Sequence, residues 1–224
     1  MINQWKRGIE EILNDQKAKQ KRKSNLRCQL FKPKDPHCFF SEPNVLTIVR
    51  LIASLIFFIL AITKMNPTYN FIGLGIHWLG DLSDGLYARR LKQETILGAE
   101  IDIIADRVET LFFYINFLHF RPSLFVPVAV YLIDFAFVDF YLSYQFLKYD
   151  IISPNYFYKV DRTVYLLNFS PAGKFCNSAV VTLILIFLPQ LQVLAIIFAS
   201  LLIGVKAFSI HLLNKRKLAG KKVY

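Results

Sequence analysis

The chain has 224 residues, of which 54% are hydrophobic and only 19% charged, against roughly 25% charged in an average soluble domain. That balance excludes a disordered chain, a disulfide-rich secreted module and an ordinary soluble globule. A formal net charge of +11 leaves two readings, basic residues that bind nucleic acid or basic residues at the edge of a membrane.

The first 42 residues are polar and basic, with Lys6, Arg7, Lys17, Lys19, Lys21, Arg22, Lys23, Arg27, Lys32 and Lys34 crowded there. Trp5, Ile9, Ile12 and Leu13 recur among them at helical spacing, which predicts an amphipathic helix on the membrane surface; the alternative is a basic arm without that helix. No apolar core followed by a small-residue site is present, so no cleavable signal peptide is expected.

From Pro43 the composition changes. Apolar runs at about 44–64, 69–88, 98–119, 123–147, 174–188 and 190–212 alternate with short polar breaks. All but the fifth approach the roughly 20 residues that cross a bilayer, and Pro189 makes the fifth and sixth a tight hairpin. The expectation is an all-α membrane protein: a basic arm over 1–42, a six-helix transmembrane domain over 43–213 and a basic tail over 214–224. With the amino terminus in the cytoplasm, the loops holding Arg89, Arg90 and Lys92, then Lys148, Lys159 and Arg162, and the tail with Lys215, Arg216, Lys217, Lys221 and Lys222 share the cytoplasmic side. Only Lys64 and Arg121 fall at outer ends. Membrane topology thus absorbs the basic excess, and nucleic acid is not needed to explain it. Cys28, Cys38 and Cys176 form no CxxC pair, and His37 beside Cys38 is too little for a metal site.

Charges within membrane helices are expensive and need a reason. Asp81, Asp84, Asp102 and Asp106 lie in or at the cytoplasmic ends of the second and third spans. Asp81, Gly85 and Ala88 share one helical stripe, with Asp84 beside it; Gly98, Asp102 and Asp106 share another at steps of four. A short turn joins the two helices, so they should pack antiparallel and bring four carboxylates to one seam. A hard divalent cation, Mg²⁺ or Mn²⁺, would hold such a group in its charged form, and magnesium commonly joins carboxylates to substrate phosphates. Gly85, Ala88 and Gly98 leave space beside the acids, and Arg89 can grip a phosphate. Close helix packing explains the small residues singly, but not four acids. Neither His nor Cys is expected in the cluster, which argues against zinc.

The run Asp81-Leu82-Ser83-Asp84-Gly85-Leu86-Tyr87-Ala88-Arg89, then Gly98, Asp102 and Asp106, resembles the signature of the CDP-alcohol phosphatidyltransferases, with eight fixed positions filled over 26 residues. The segment from Pro43 and Asn44 through Thr47 to Arg50 is similar to the start of that family's first membrane helix. The resemblance implies transfer of a phosphatidyl group from CDP-diacylglycerol, or a similar CDP-lipid, to an alcohol hydroxyl, with CMP released. It also implies two divalent metals, Mg²⁺ or Mn²⁺, on Asp81, Asp84, Asp102 and Asp106, with Asp106 as general base. Gly85, Ala88, Arg89 and Gly98 would line the cytidine diphosphate site, and a homodimer is implied. A divalent-cation transporter is the reading from another class, and a non-catalytic scaffold would have no need of four acids.

A phosphorylated acceptor needs cations beyond the metals. Lys174, in Ser170-Pro171-Ala172-Gly173-Lys174, opens the fifth span and is the first choice, with Arg162 second; the bland reading of each is headgroup contact. The family's bacterial glycerol-phosphate enzymes have a similar Gly-Lys followed by Lys-Thr, where this chain has Phe175-Cys176-Asn177. An arginine-rich stretch expected near span four is replaced by Leu132-Ile133-Asp134-Phe135. Glycerol 3-phosphate ranks first as acceptor, with inositol phosphate, inositol and serine open. Asp134 and Asp139 are expected to pair with Arg50 or Arg107, or to meet the acceptor, and Glu109 to support Asp106.

Overall fold

A computed structural model describes residues 41–91, 93–149 and 151–218, and the described residues are helical with no strand. The amino-terminal amphipathic helix, Cys28, Cys38, His37 and the end of the tail lie outside them. The helices are α1 (Glu42–Thr63), α2 (Pro67–Leu91), α3 (Ile96–Phe120), α4 (Pro122–Lys148), α5 (Arg162–Phe169), α6 (Pro171–Phe187) and α7 (Gln192–Leu218).

Local chemistry sets the ends. The Ser41 hydroxyl accepts from Asn44 N at 3.3 Å to cap α1, and Thr95 Oγ1 accepts from Gly98 N at 2.9 Å to cap α3, each satisfying an otherwise orphaned donor. Met65, in the left-handed region at φ 49°, turns the chain from α1 into α2. Pro171 begins a new helix rather than continuing α5, and the two axes bend by 41° there, since proline cannot supply the continuing N–H.

α1 packs on both α2 and α3, and α7 packs on α4 and α6. Two apolar cores result among the described residues. One gathers Phe58, Leu74, Phe113, Tyr131, Val181 and Ala199; the other gathers Ile103, Leu142, Phe146, Phe157 and Leu213. Along α3 the chain runs from Ile103 in one core, through Asp106, Arg107 and Glu109, to Phe113 in the other.

The helix faces are inverted relative to a soluble protein. On α1 the buried stripe includes Thr47, Arg50 and Ser54, while Val49, Ile52, Ile56 and Ile59 face outward. α1, Pro122–Lys148 and Pro189–Arg216 are long and apolar enough to cross a bilayer, and the bent α5–α6 pair makes a fourth candidate. The six expected spans are therefore supported in part. α2 and α3, at 25 residues each, reach about 37 Å, but the polar residues that build the site lower their hydropathy.

Candidate active site

α2 and α3 run side by side against α1, and their acidic stripes meet around one guanidinium. Arg50 Nη1 lies 3.6 Å from Asp81 and 3.4 Å from Asp84, and its Nη2 lies 3.4 Å from Asp102, 3.0 Å from Asp106 and 3.3 Å from Glu109. Gly80 admits this side chain: a Cβ there would fall on the Cγ and Cδ of Arg50. Of the two arginines the sequence offers as partners for Asp134 and Asp139, Arg107 meets Asp139, whereas Arg50 lies among the acids of the seam, because α1 packs against α2 and α3.

The acids are not equivalent. Asp81, Asp102 and Asp106 keep 37%, 36% and 27% of their side chains exposed, and one oxygen of each lies within 4.8 Å of the others. Asp84 is buried behind them and accepts from the Thr47 hydroxyl at 3.0 Å. Glu109 is wholly buried, accepting from Ser54 Oγ at 2.5 Å and meeting His77 Nδ1 at 2.8 Å. His77 Nδ1 is 3.9 Å from Asp106, so a histidine does join the cluster. The expectation of an all-carboxylate group is corrected to that extent.

Five carboxylates thus gather around one guanidinium, with the His77 imidazole beside them. Crowded acids of this kind are held in their charged form by added cations. The open oxygens of Asp81, Asp102 and Asp106 suit a hard divalent ion, so the donor set fits the magnesium or manganese expected from the sequence.

Asp81, Asp84, Asp102 and Asp106 line a cavity of about 200 Å³ whose walls include Gly85, Ala88, Arg89 and Gly98. A Cβ on Gly98 would meet Asn44 Oδ1 at 2.5 Å, so glycine lets α3 approach the start of α1. A Cβ on Gly85 would meet nothing nearer than the Arg89 guanidinium at 3.3 Å. The lining also includes Arg107, Phe135, Asp139, Asn168, Lys174 and Asn177. Lys174 thus lines the same cavity as the acids. Arg162 is exposed at the start of α5 and does not line it. Near the cavity, the Tyr156 hydroxyl donates to Glu94. That bond pushes the hydroxyl's pKa up to about 12, so it remains a donor at neutral pH.

Sequence reasoning assigned no role to His77 or Lys206. A signal existed for each: His77 stands one helical turn before Asp81, and Lys206 is a lone cation in an apolar span. Asp134 and Asp139 do pair with cations, Lys206 for both and Arg107 for Asp139.

A family model described as CDP-alcohol phosphatidyltransferase matches residues 40–205. Two curated relatives are both named CDP-diacylglycerol–glycerol-3-phosphate 3-phosphatidyltransferase. The protein from Aquifex aeolicus (strain VF5) is 31% identical over 93 residues, 41% of this chain and 51% of the relative. That from Cereibacter sphaeroides is 32% identical over 106 residues, 45% of this chain and 48% of the relative. The chain spans about half the length of these relatives. No solved structure matches it.

Proposed function

The chain belongs to the CDP-alcohol phosphatidyltransferase family, and from that premise we propose that it transfers the phosphatidyl group of CDP-diacylglycerol to a polar alcohol. The observation that carries this reading is the convergence of Asp81, Asp102 and Asp106 at a cavity that also holds Lys174. Glycerol 3-phosphate is the proposed acceptor, supported by the names of the two relatives and by that lysine.

Asp81, Asp84, Asp102 and Asp106 would hold two divalent ions. When bound, magnesium or manganese supplies charge neutralisation for the diphosphate and the departing CMP. Arg50 fixes the carboxylates among which the diphosphate must dock. Gly85, Ala88, Arg89 and Gly98 receive the cytidine diphosphate. Asp106 takes the proton of the acceptor hydroxyl. That oxygen bonds to the β-phosphorus, the bond from this phosphorus to the bridging oxygen breaks, and the electron pair leaves with CMP.

The protein would work as an integral membrane protein of six spans, with α2 and α3 crossing alongside the apolar helices. Their outward Ile72, Leu79, Leu82, Ile104, Phe112 and Ile115 support that placement, since these faces suit lipid. The basic loops support a cytoplasmic side for the site and both termini, where lipid tails would stay in the bilayer and nucleotide in water. A homodimer is proposed from the family.

The test is a panel of alcohols incubated with CDP-diacylglycerol and magnesium or manganese, with the lipid product identified by mass. Phosphatidylglycerophosphate is expected. Another phosphatidyl alcohol would reassign the acceptor, and divalent-ion uptake into proteoliposomes without CMP release would favour a transporter.

A further inference from the structure

We infer that Arg107 binds the anionic group of the acceptor and that Lys206, buried on α7, positions it through Asp139. The inference rests on the proposed transfer to a phosphorylated alcohol and adds the residues that select it.

Arg107 follows Asp106 on α3. Its Nη2 donates to Asp139 Oδ2, and its guanidinium carbon sits 3.8 Å from the Phe135 ring centroid. Arg107, Phe135 and Asp139 all line the cavity. Nε has no hydrogen-bond partner among the described residues, and the bond to Asp139 engages Nη2 alone. The guanidinium is therefore held on one edge and one face, with donors left over.

The hold is reinforced from behind. Lys206 Nζ lies 3.1 Å from Asp139 Oδ1 and 2.5 Å from Asp134 Oδ2, and Lys206 and Asp134 are fully buried. A π-helical turn over Asp134–Asp139 makes this pairing geometrically accessible. At about 100° per residue, positions five apart on an α-helix diverge by about 140°; the i→i+5 turn brings the two aspartates back toward one side.

Two carboxylates and two cations balance, so this group differs from the acid-rich seam beside it. A buried, balanced ion network is weak support for stability, and within a membrane bundle it calls for a functional reason. Lys206 supplies that reason. It shares the charge of Asp139, so Arg107 stays oriented by the carboxylate without being fully neutralised by it. A guanidinium fork suits a phosphate. Lying next to Asp106, it holds the phosphate of a short alcohol while Asp106 meets the hydroxyl. This cation offsets the arginine-rich stretch that span four lacks.

The test is steady-state kinetics with glycerol 3-phosphate, with glycerol, and with CDP-diacylglycerol varied separately. Arg107→Gln is expected to raise the KM for glycerol 3-phosphate by roughly 30-fold, the loss of a hydrogen bond between charged groups. It should leave the KM for CDP-diacylglycerol within about twofold and erode the preference over glycerol. Arg107→Lys should recover part of the loss. The paired change Asp134→Asn with Lys206→Met removes one charge of each sign and should raise the acceptor KM by about tenfold with kcat within about twofold. If Arg107→Gln does not insert, Arg107→Lys and the paired variant carry the test. Equal shifts in both KM values, or a fall in kcat alone, would overturn the inference while leaving the transfer reaction standing. A wild-type protein with no preference for glycerol 3-phosphate over glycerol would overturn the proposed acceptor and this inference together.

Discussion

Arg50 Nη2 donates to Asp106 Oδ1 across 3.0 Å, joining residues 56 positions apart. The same nitrogen reaches Asp102 and Glu109, so one side chain of α1 sets the spacing of the acids on α3. Arg50→Met should therefore lower CMP release by about 100-fold or more, the scale of loss when reacting groups are misplaced by an ångström. Arg50→Lys should rescue little, because a point-like ammonium cannot span two carboxylates as a planar fork does. Rates from CDP-diacylglycerol in purified membranes check both.

Gly80→Ala provides a steric route to the same outcome. Its new methyl would overlap the Arg50 stem, whereas a Cβ on Gly75 of the same helix has nothing within 4 Å. The Gly80 variant should lose most activity while still inserting. Gly75→Ala should behave as wild type in the same assay and in thermal unfolding in detergent.

Asp106→Asn should abolish transfer by about 10³-fold, within the range set by losing a positioned base, with the protein folded and inserted. Retained turnover would remove Asp106 as the proton acceptor. Size-exclusion behaviour and CMP release, measured on one preparation, separate the two outcomes.

Lys174→Ala should raise the apparent KM for a phosphorylated acceptor by about tenfold and leave that for CDP-diacylglycerol nearly unchanged. Arg162→Ala should have the smaller effect, because Arg162 is exposed away from the cavity lining. Lys148→Ala should leave both constants alone, since that ammonium lies 5.4 Å from the Tyr141 ring centroid. An equal change in both constants for Lys174→Ala would argue against acceptor binding.

The seam of acids was legible because helical spacing of four aligns side chains without reference to any other part of the fold. Asp102 and Asp106 align as that rule implies, and the short turn that packs α2 beside α3 brings Asp81 to them. The fate of Arg50 was not legible: a cation in a membrane helix announces a need for partners, but not which neighbouring helix will supply them. His77 was not legible either, since a single imidazole one turn before the acidic stripe carries no spacing signal of its own. The π turn at Asp134–Asp139 left no mark in an apolar run that reads as ordinary helix, so the sharing of Lys206 by both aspartates emerged only in three dimensions.

The most direct measurement is CMP release from CDP-diacylglycerol and glycerol 3-phosphate by protein stripped of divalent ions with a chelator, then titrated with magnesium or manganese. No release is expected from the stripped protein, and full return with either ion, one phosphatidyl product forming for each CMP. Turnover that persists undiminished after chelation would contradict the assignment of the aspartate seam as the catalytic metal centre.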